Sequence, residues 1–256
     1  MRPINWTALL AAFLSFCKLV NAKGTLSIQL LDYNNPSSKD YNGGCCDCCG
    51  VLIGYCPANE CDNFFRLFVA TYPYTFFSAL SPWTRWETHI IAEDSDSFYF
   101  PGYGHTVGAG LKNPLTYHFT GRWPGAFAIG LDVWDDDSGN ILIGRADDLA
   151  DHIEYDVANV PAQKDLQSAV AKSVTLTGKR SSTRILVRVY CDADYYGTDC
   201  YTYCIGRDDS TYGHYKCDDA TGNKVCLTGW RGQDCKTRKY KLQGQLKKKV
   251  VQIKKI

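Results

Sequence analysis

Four segments of the chain alternate apolar and polar residues. "LSIQLLD" puts Leu26, Ile28 and Leu30 on one side of an extended backbone, and "FFRLFVATY" does so with Phe65, Leu67 and Val69. "FAIGLDVW" repeats the pattern with Phe127, Ile129, Leu131 and Val133, and "RILVRVYC" with Ile185, Val187 and Val189. A two-residue period rich in β-branched and aromatic side chains predicts half-buried strands. The intervening "NNPSS", "PGYGH", "KNP", "RWPG" and "DDDSGN" supply turn chemistry. Strands so spaced predict an antiparallel β-sandwich. "RADDLADHIEYDVANVPAQKDLQSAVAK" departs from the pattern. Its helix formers and the spacing of Leu149, Ile153 and Val157 predict one or two short helical turns interrupting the sheet.

From Cys191 the alternation gives way to cysteine, glycine and tyrosine, in the spacing C-x8-C-x3-C-x12-C-x8-C-x8-C that ends at Cys235. A unit this short buries too little apolar surface to fold on its core alone, so disulfides must substitute for it. The change sets a boundary near residue 190, with a sandwich over 23–189 and a small disulfide-rich module over 190–235. A second group of cysteines, Cys45, Cys46, Cys48, Cys49, Cys56 and Cys61, lies near the start. Nothing between residues 62 and 190 carries a thiol, so an apolar core must hold that stretch.

Residues 1–22 carry Arg2, an apolar run from Trp6 to Val20 broken by Lys18, and the small-residue end Val20-Asn21-Ala22. These are the features of a secretory signal peptide rather than a membrane span. Removing it takes away Cys17 and leaves an even set of cysteines in an oxidising compartment, which favours disulfides. "CCDCC" has the ligands for a soft metal such as zinc, but oxidation prevails in a secreted chain.

The formal net charge of +1 hides a segregation. Residues 23–235 hold 17 basic and 27 acidic residues, whereas residues 236–256 hold nine basic and no acidic ones. That tail reads as a solvated, disordered segment with the charge to meet heparan-type polyanions or an anionic surface. Nucleic acid is no partner for an extracellular chain. Catalytic signatures are missing too: there is no G-x-S-x-G or H-E-x-x-H, and His89, His105, His118 and His152 stand singly. The chain is not expected to be an enzyme.

"CDADYYGTDC", "CIGRDDSTYGHYKC" and "GNKVCLTGWRGQDC" resemble the DSL domain of Delta- and Serrate-type Notch ligands, in all six cysteines and in the YYG, RDD, GH and GW runs between them. Upstream, "NGGCCDCCGVLIGYCPANECDNFFRLFVATY" and the Pro124-Gly125 turn before "FAIGLDVWD" are similar to that family's N-terminal (MNNL) module. The resemblance implies a mainly β chain, a C2-like antiparallel sandwich followed by an EGF-like DSL module. It departs from the family in its extra Cys48 and Cys49, in a cysteine lacking from "FFRLFVATY", and in Ser210-Thr211 standing where relatives have one residue.

The same resemblance implies the pairings Cys191 with Cys200, Cys204 with Cys217, and Cys226 with Cys235, while the first six cysteines keep several possible pairings. It implies binding to the EGF repeats of a Notch-family receptor through Arg207, Asp208, Asp209, Tyr212 and His214. An arginine fork and an exposed aromatic on a disulfide-fixed loop suit such a contact. Tyr195, Tyr196, Gly197 and Trp230 read instead as the module's small aromatic core and turns. No cofactor is required, but Asp132, Asp135 and Asp137 form an oxygen-rich loop of the kind that takes calcium in C2 domains. That gives the alternative reading, a calcium-dependent phospholipid- or glycan-binding C2 protein. The expected location is extracellular, secreted, or at the cell surface if the chain is a piece of a longer anchored ligand.

Overall fold

The computed structural model describes residues 23–46, 61–75, 79–93, 95–108, 110–136 and 147–239. The expected signal peptide, Cys48, Cys49, Cys56, Asp137 and the tail beyond Lys239 lie outside these residues.

Nine strands make the first unit: β1 (Gly24–Asn34), β2 (Asn63–Ala70), β3 (Thr84–Glu87), β4 (Ser97–Tyr99), β5 (Leu115–Phe119), β6 (Phe127–Asp135), β7 (Asp148–Val157), β8 (Lys172–Thr177) and β9 (Ser182–Cys191). One sheet runs β4-β1-β9-β8 with β5 also paired to β1, and the other runs β3-β2-β6-β7. Every pairing is antiparallel. The alternation read from the sequence faces these sheets toward each other. Its thirteen apolar residues, from Leu26 to Val189, are all at most 2% exposed. Each such side chain stabilises the fold by about 1.5–3 kcal/mol.

Buried polar side chains complete the sandwich where its ladders break. β1 pairs with β5 up to Ile28 and with β4 from Asp32, leaving Leu30 between them. The Asn113 amide fills that gap: its Oδ1 accepts from Leu30 N at 2.9 Å and its Nδ2 donates to Leu30 O at 2.8 Å, standing in for a strand partner. Asp151 is fully buried and accepts from Arg180 N (2.9 Å), Ser181 N (2.7 Å), Ser181 Oγ (2.8 Å) and Lys179 N (3.2 Å). It fastens the β8–β9 turn to β7.

Of the expected helical turns, the described residues show one, an isolated turn in which Ala169 N donates to Asp165 O at 3.0 Å; the rest of the segment is extended. Residues 148–157 form β7, and 172–177 form β8. Leu149, Ile153 and Val157 recur every four residues, which suits one helical face but equally one face of a strand, since four is a multiple of two. A register shift opposite Val133/Trp134 places Ala150 as an extra residue and masks the alternation there.

The second unit grows directly out of the first. β9 ends at Cys191, and Cys191 and Cys200 belong to the same buried cluster as the sandwich core. Backbone hydrogen bonds cross the junction from Trp123 N to Asp199 O and from Ala162 N to Thr198 O, both 2.9 Å, and from Asp192 N to Lys23 O at 3.0 Å. Above them the Tyr201 ring lies between Lys23 Nζ, 4.5 Å away, and the Arg122 guanidinium, 4.4 Å away. Arg122 also pairs with Asp199 at 3.3 Å.

Candidate functional site

The module beyond β9 contains β10 (Tyr195–Tyr196), β11 (Thr202–Tyr203), β12 (Arg207–Asp209), β13 (Gly213–Cys217), β14 (Lys224–Cys226), β15 (Trp230–Arg231) and β16 (Thr237–Arg238). β16 pairs with β15, so the module reaches past Cys235, the end that the cysteine spacing predicts. Its buried cluster is only Cys204, Tyr215 and Cys235, backed by Tyr196, Cys217 and Cys226. The disulfides Cys191–Cys200, Cys204–Cys217 and Cys226–Cys235 supply what that core lacks, about 2–4 kcal/mol each. In the sandwich, Cys46 is bonded to Cys61, and Cys45 is disulfide-bonded as well.

β12 and β13 form a hairpin with the in-register pairs Arg207↔Tyr215, Asp208↔His214 and Asp209↔Gly213. Its turn is set by Asp209, whose Oδ1 accepts from Thr211 N (2.8 Å) and Tyr212 N (2.7 Å). Gly213 follows with φ +108°, and a Cβ there would sit 2.0 Å from Asp234 O, so only glycine lets the turn close on the next loop. The turn leaves Tyr212 59% exposed with the Arg207 guanidinium 5.2 Å from its ring.

Strand alternation divides the five residues that sequence grouped as one receptor-binding set. Arg207 and Tyr215 lie on one face of the hairpin, and Asp208 and His214 on the other. On that second face His214 Nδ1 bonds Asp208, and the imidazole stacks on Trp230 with ring centroids 3.5 Å apart and planes 13° from parallel. The Arg238 guanidinium stands 5.0 Å from the same indole. Asp208 and His214 therefore brace β12–β13 against β15–β16, and Asp209 holds the turn. Arg207 and Tyr212 are the two members whose side chains neither join that brace nor hold the turn. The period-two rule applied to Arg207–Asp209 would have revealed the division; nothing in the sequence marked the His214, Trp230 and Arg238 stack.

Tyr195 packs on Tyr203 with ring centroids 5.1 Å apart, and Gly197 turns at φ +89°, which agrees with the reading of Tyr195 and Gly197 as framework. The first face carries more than the expected pair. Tyr203, 59% exposed, and Lys224, whose Nζ is 4.7 Å from the Tyr215 ring, border an open hollow with Arg207 and Tyr212.

Of the three aspartates expected to hold calcium, the two described ones, Asp132 and Asp135, are not brought together. Asp132 and Asp135 are three apart on β6 and so point to opposite faces of its sheet. Asp132 is bonded to His152 Nδ1 at 2.5 Å, while Asp135 is fully buried and accepts from Asp62 N at 2.7 Å. Asp135 also lies beside Cys46 and Cys61, but their sulfurs are joined to each other and present no thiolate. Asp137 lies outside the described residues.

Comparison with known proteins matches residues 23–185 to the family profile described as the N terminus of Notch ligand C2-like domain. This chain belongs to the Notch ligand family. Residues 191–238 of this Notch-ligand chain match a second profile, Delta serrate ligand. The neurogenic locus protein delta of Drosophila melanogaster is 30% identical over 91% of the chain, and Delta-like protein 1 of Mus musculus is 30% identical over 84%. Protein jagged-2 of Homo sapiens is 27% identical over 83%. The chain spans only 27, 28 and 17% of those three proteins' own lengths. The solved structure of Drosophila C2-DSL-EGF1 superposes with a TM-score of 0.61 at 27% identity, over 84% of this chain and 87% of that one.

Proposed function

We propose that the chain acts outside the cell as a Notch-receptor ligand or modulator, binding EGF repeats of the receptor through the β12–β13 hairpin together with the sandwich. The observation that carries this reading is the exposed Arg207–Tyr212 pair, held on a turn that Asp209 and Gly213 fix and that cystines anchor. A contact so pre-organised loses little entropy on binding, which is the property that makes arginine and aromatic residues dominate interfaces. The cystines suit an oxidising compartment, in line with an extracellular role.

The test is surface-plasmon binding of the oxidised protein to immobilised Notch EGF-repeat fragments, with Arg207→Ala and Tyr212→Ala beside Asp208→Ala. Loss on the first two and near-retention on the third is expected. An unmodified protein that does not bind, or loss confined to Asp208→Ala, overturns the reading. No observation in the described residues favours the calcium-dependent alternative, because Asp132 and Asp135 sit on opposite faces.

A further inference from the structure

The hollow on the first face of the hairpin differs from an ordinary tyrosine cluster in its charge. In sequence the Arg-Asp-Asp run carries a net charge of −1, with Arg207 more than offset by its neighbours. In the fold both acids are spent elsewhere: Asp208 on His214 across the opposite face, and Asp209 on the backbone of its own turn. Arg207 makes no ion pair among the described residues, only the contact with the Tyr212 ring at 5.2 Å. On the far side of the hollow Lys224 is held 4.7 Å from the Tyr215 ring, with its sole carboxylate neighbour, Asp234, at 3.5 Å on the exposed flank. Two cations thus flank a recess whose walls are Tyr203 and Tyr212 and whose floor is the buried Tyr215.

Each feature favours a small anion over an apolar knob. A guanidinium laid along a tyrosine ring keeps its fork of N–H donors facing outward and is pre-aligned for a two-point contact with a carboxylate. The flanking rings would shield that contact once a partner covers the open hollow, and so raise its strength. An apolar side chain filling the recess would instead strip water from Arg207 without returning any hydrogen bond.

We infer that the recess between Arg207 and Lys224 receives an aspartate or glutamate side chain of the receptor fragment that the hairpin meets. This rests on the receptor-ligand reading above and adds the chemistry of the partner's anchoring residue. Tyr212 supplies contact area, and Arg207, aided by Lys224, selects for the acid.

Binding of immobilised Notch EGF-repeat fragments tests it, using Arg207→Glu, Lys224→Glu and Tyr212→Ala proteins that have the wild-type disulfide map by mass spectrometry. Arg207→Glu is expected to weaken binding by about thirtyfold or more, the loss typical of a desolvated charge pair. Lys224→Glu, acting from the rim, should weaken it about three- to fivefold, chiefly in the association rate and more at low salt. One aspartate-to-lysine or glutamate-to-lysine change in the receptor fragment should restore binding to Arg207→Glu while weakening it to the wild type. If Tyr212→Ala weakens binding but neither charge reversal does, the acidic anchor is wrong and the hairpin reading stands. If no receptor acid gives reciprocal rescue, or if heparinase treatment of the fragment abolishes the charge effect, a carboxylate partner is excluded. Failure of the wild type to bind takes both proposals down.

Discussion

Replacing Cys191 and Cys200 together by alanine, beside the same change at Cys226 and Cys235, separates stapling from packing. Both bridges join cysteines 9 residues apart, so loop entropy treats them alike. The chain-entropy relation gives about 2.7 kcal/mol for either at 25 °C. Their surroundings differ. Cys191 and Cys200 are 4% and 0% exposed and sit in the sandwich cluster, whereas Cys235 belongs to the small cluster of the module and Cys226 is only partly buried. Deleting two buried sulfurs removes roughly methylene-sized groups, about 0.8 kcal/mol each in transfer, and leaves a void that adds to the loss. The first double variant should lose about 4–5 kcal/mol and the second, in which only the Cys235 sulfur is fully buried, about 3.5 kcal/mol. Guanidinium unfolding followed by tryptophan fluorescence reads the two regions: Trp83, Trp86, Trp123 and Trp134 report on the sandwich, and Trp230 on the module. The sandwich transition should shift in the first variant and stay in place in the second. Equal losses, or a sandwich transition indifferent to the Cys191 and Cys200 changes, refute the assignment of that cystine to the sandwich core.

Three further outcomes are expected. Asp151→Ala should destabilise the sandwich by about 3–5 kcal/mol in denaturant titrations, because it strands the N–H groups of Arg180 and Ser181 in a buried turn; a loss under 1 kcal/mol would contradict this. Gly213→Ala should cost about 2 kcal/mol or more, or prevent secretion, since its Cβ would overlap Asp234 O at an unfavourable φ; a normal yield with unchanged melting would show that the turn relaxes freely. Burial tends to lower the pKa of His152, but its hydrogen bonds to Glu154 and Asp132, with their charges, outweigh this and hold it above the ordinary value. The pair contacts should therefore stabilise the fold fully below about pH 6.5 and fade as pH rises through the raised folded value. An NMR titration of His152, with melting curves of wild type and His152→Gln across pH 5–9, checks the direction; a midpoint below that of a free histidine would reverse it.

The sandwich was legible because β1 as far as Leu30, β2, β6 and β9 obey one rule: their inward residues are the apolar partners that alternation marks. β7 was hidden because a bulge shifts its faces and because a four-residue recurrence fits helix and strand alike. The hairpin was legible as a motif but not as a surface. Five side chains in one short run look like one patch, and only the pairing of β12 with β13 assigns His214 to a stack on Trp230, a residue sixteen positions away. Asn113 and Asp151 carried no mark either, since their partners are main-chain groups 83 and about 30 residues distant, whose N–H groups have no letter of their own in a sequence.

The absence of slack between β9 and Cys200 has a mechanical meaning. A swivelling joint would let each half of the molecule find its own contact separately, and tension applied at one end would first be spent straightening the joint. Here the last strand of the sandwich ends in the first cystine of the module, and backbone bonds from Trp123 to Asp199, Ala162 to Thr198 and Asp192 to Lys23 tie the two across the junction. Under the proposed reading, a partner held at the hairpin would therefore meet the sandwich through a hydrogen-bonded, cystine-closed junction rather than through a loose linker.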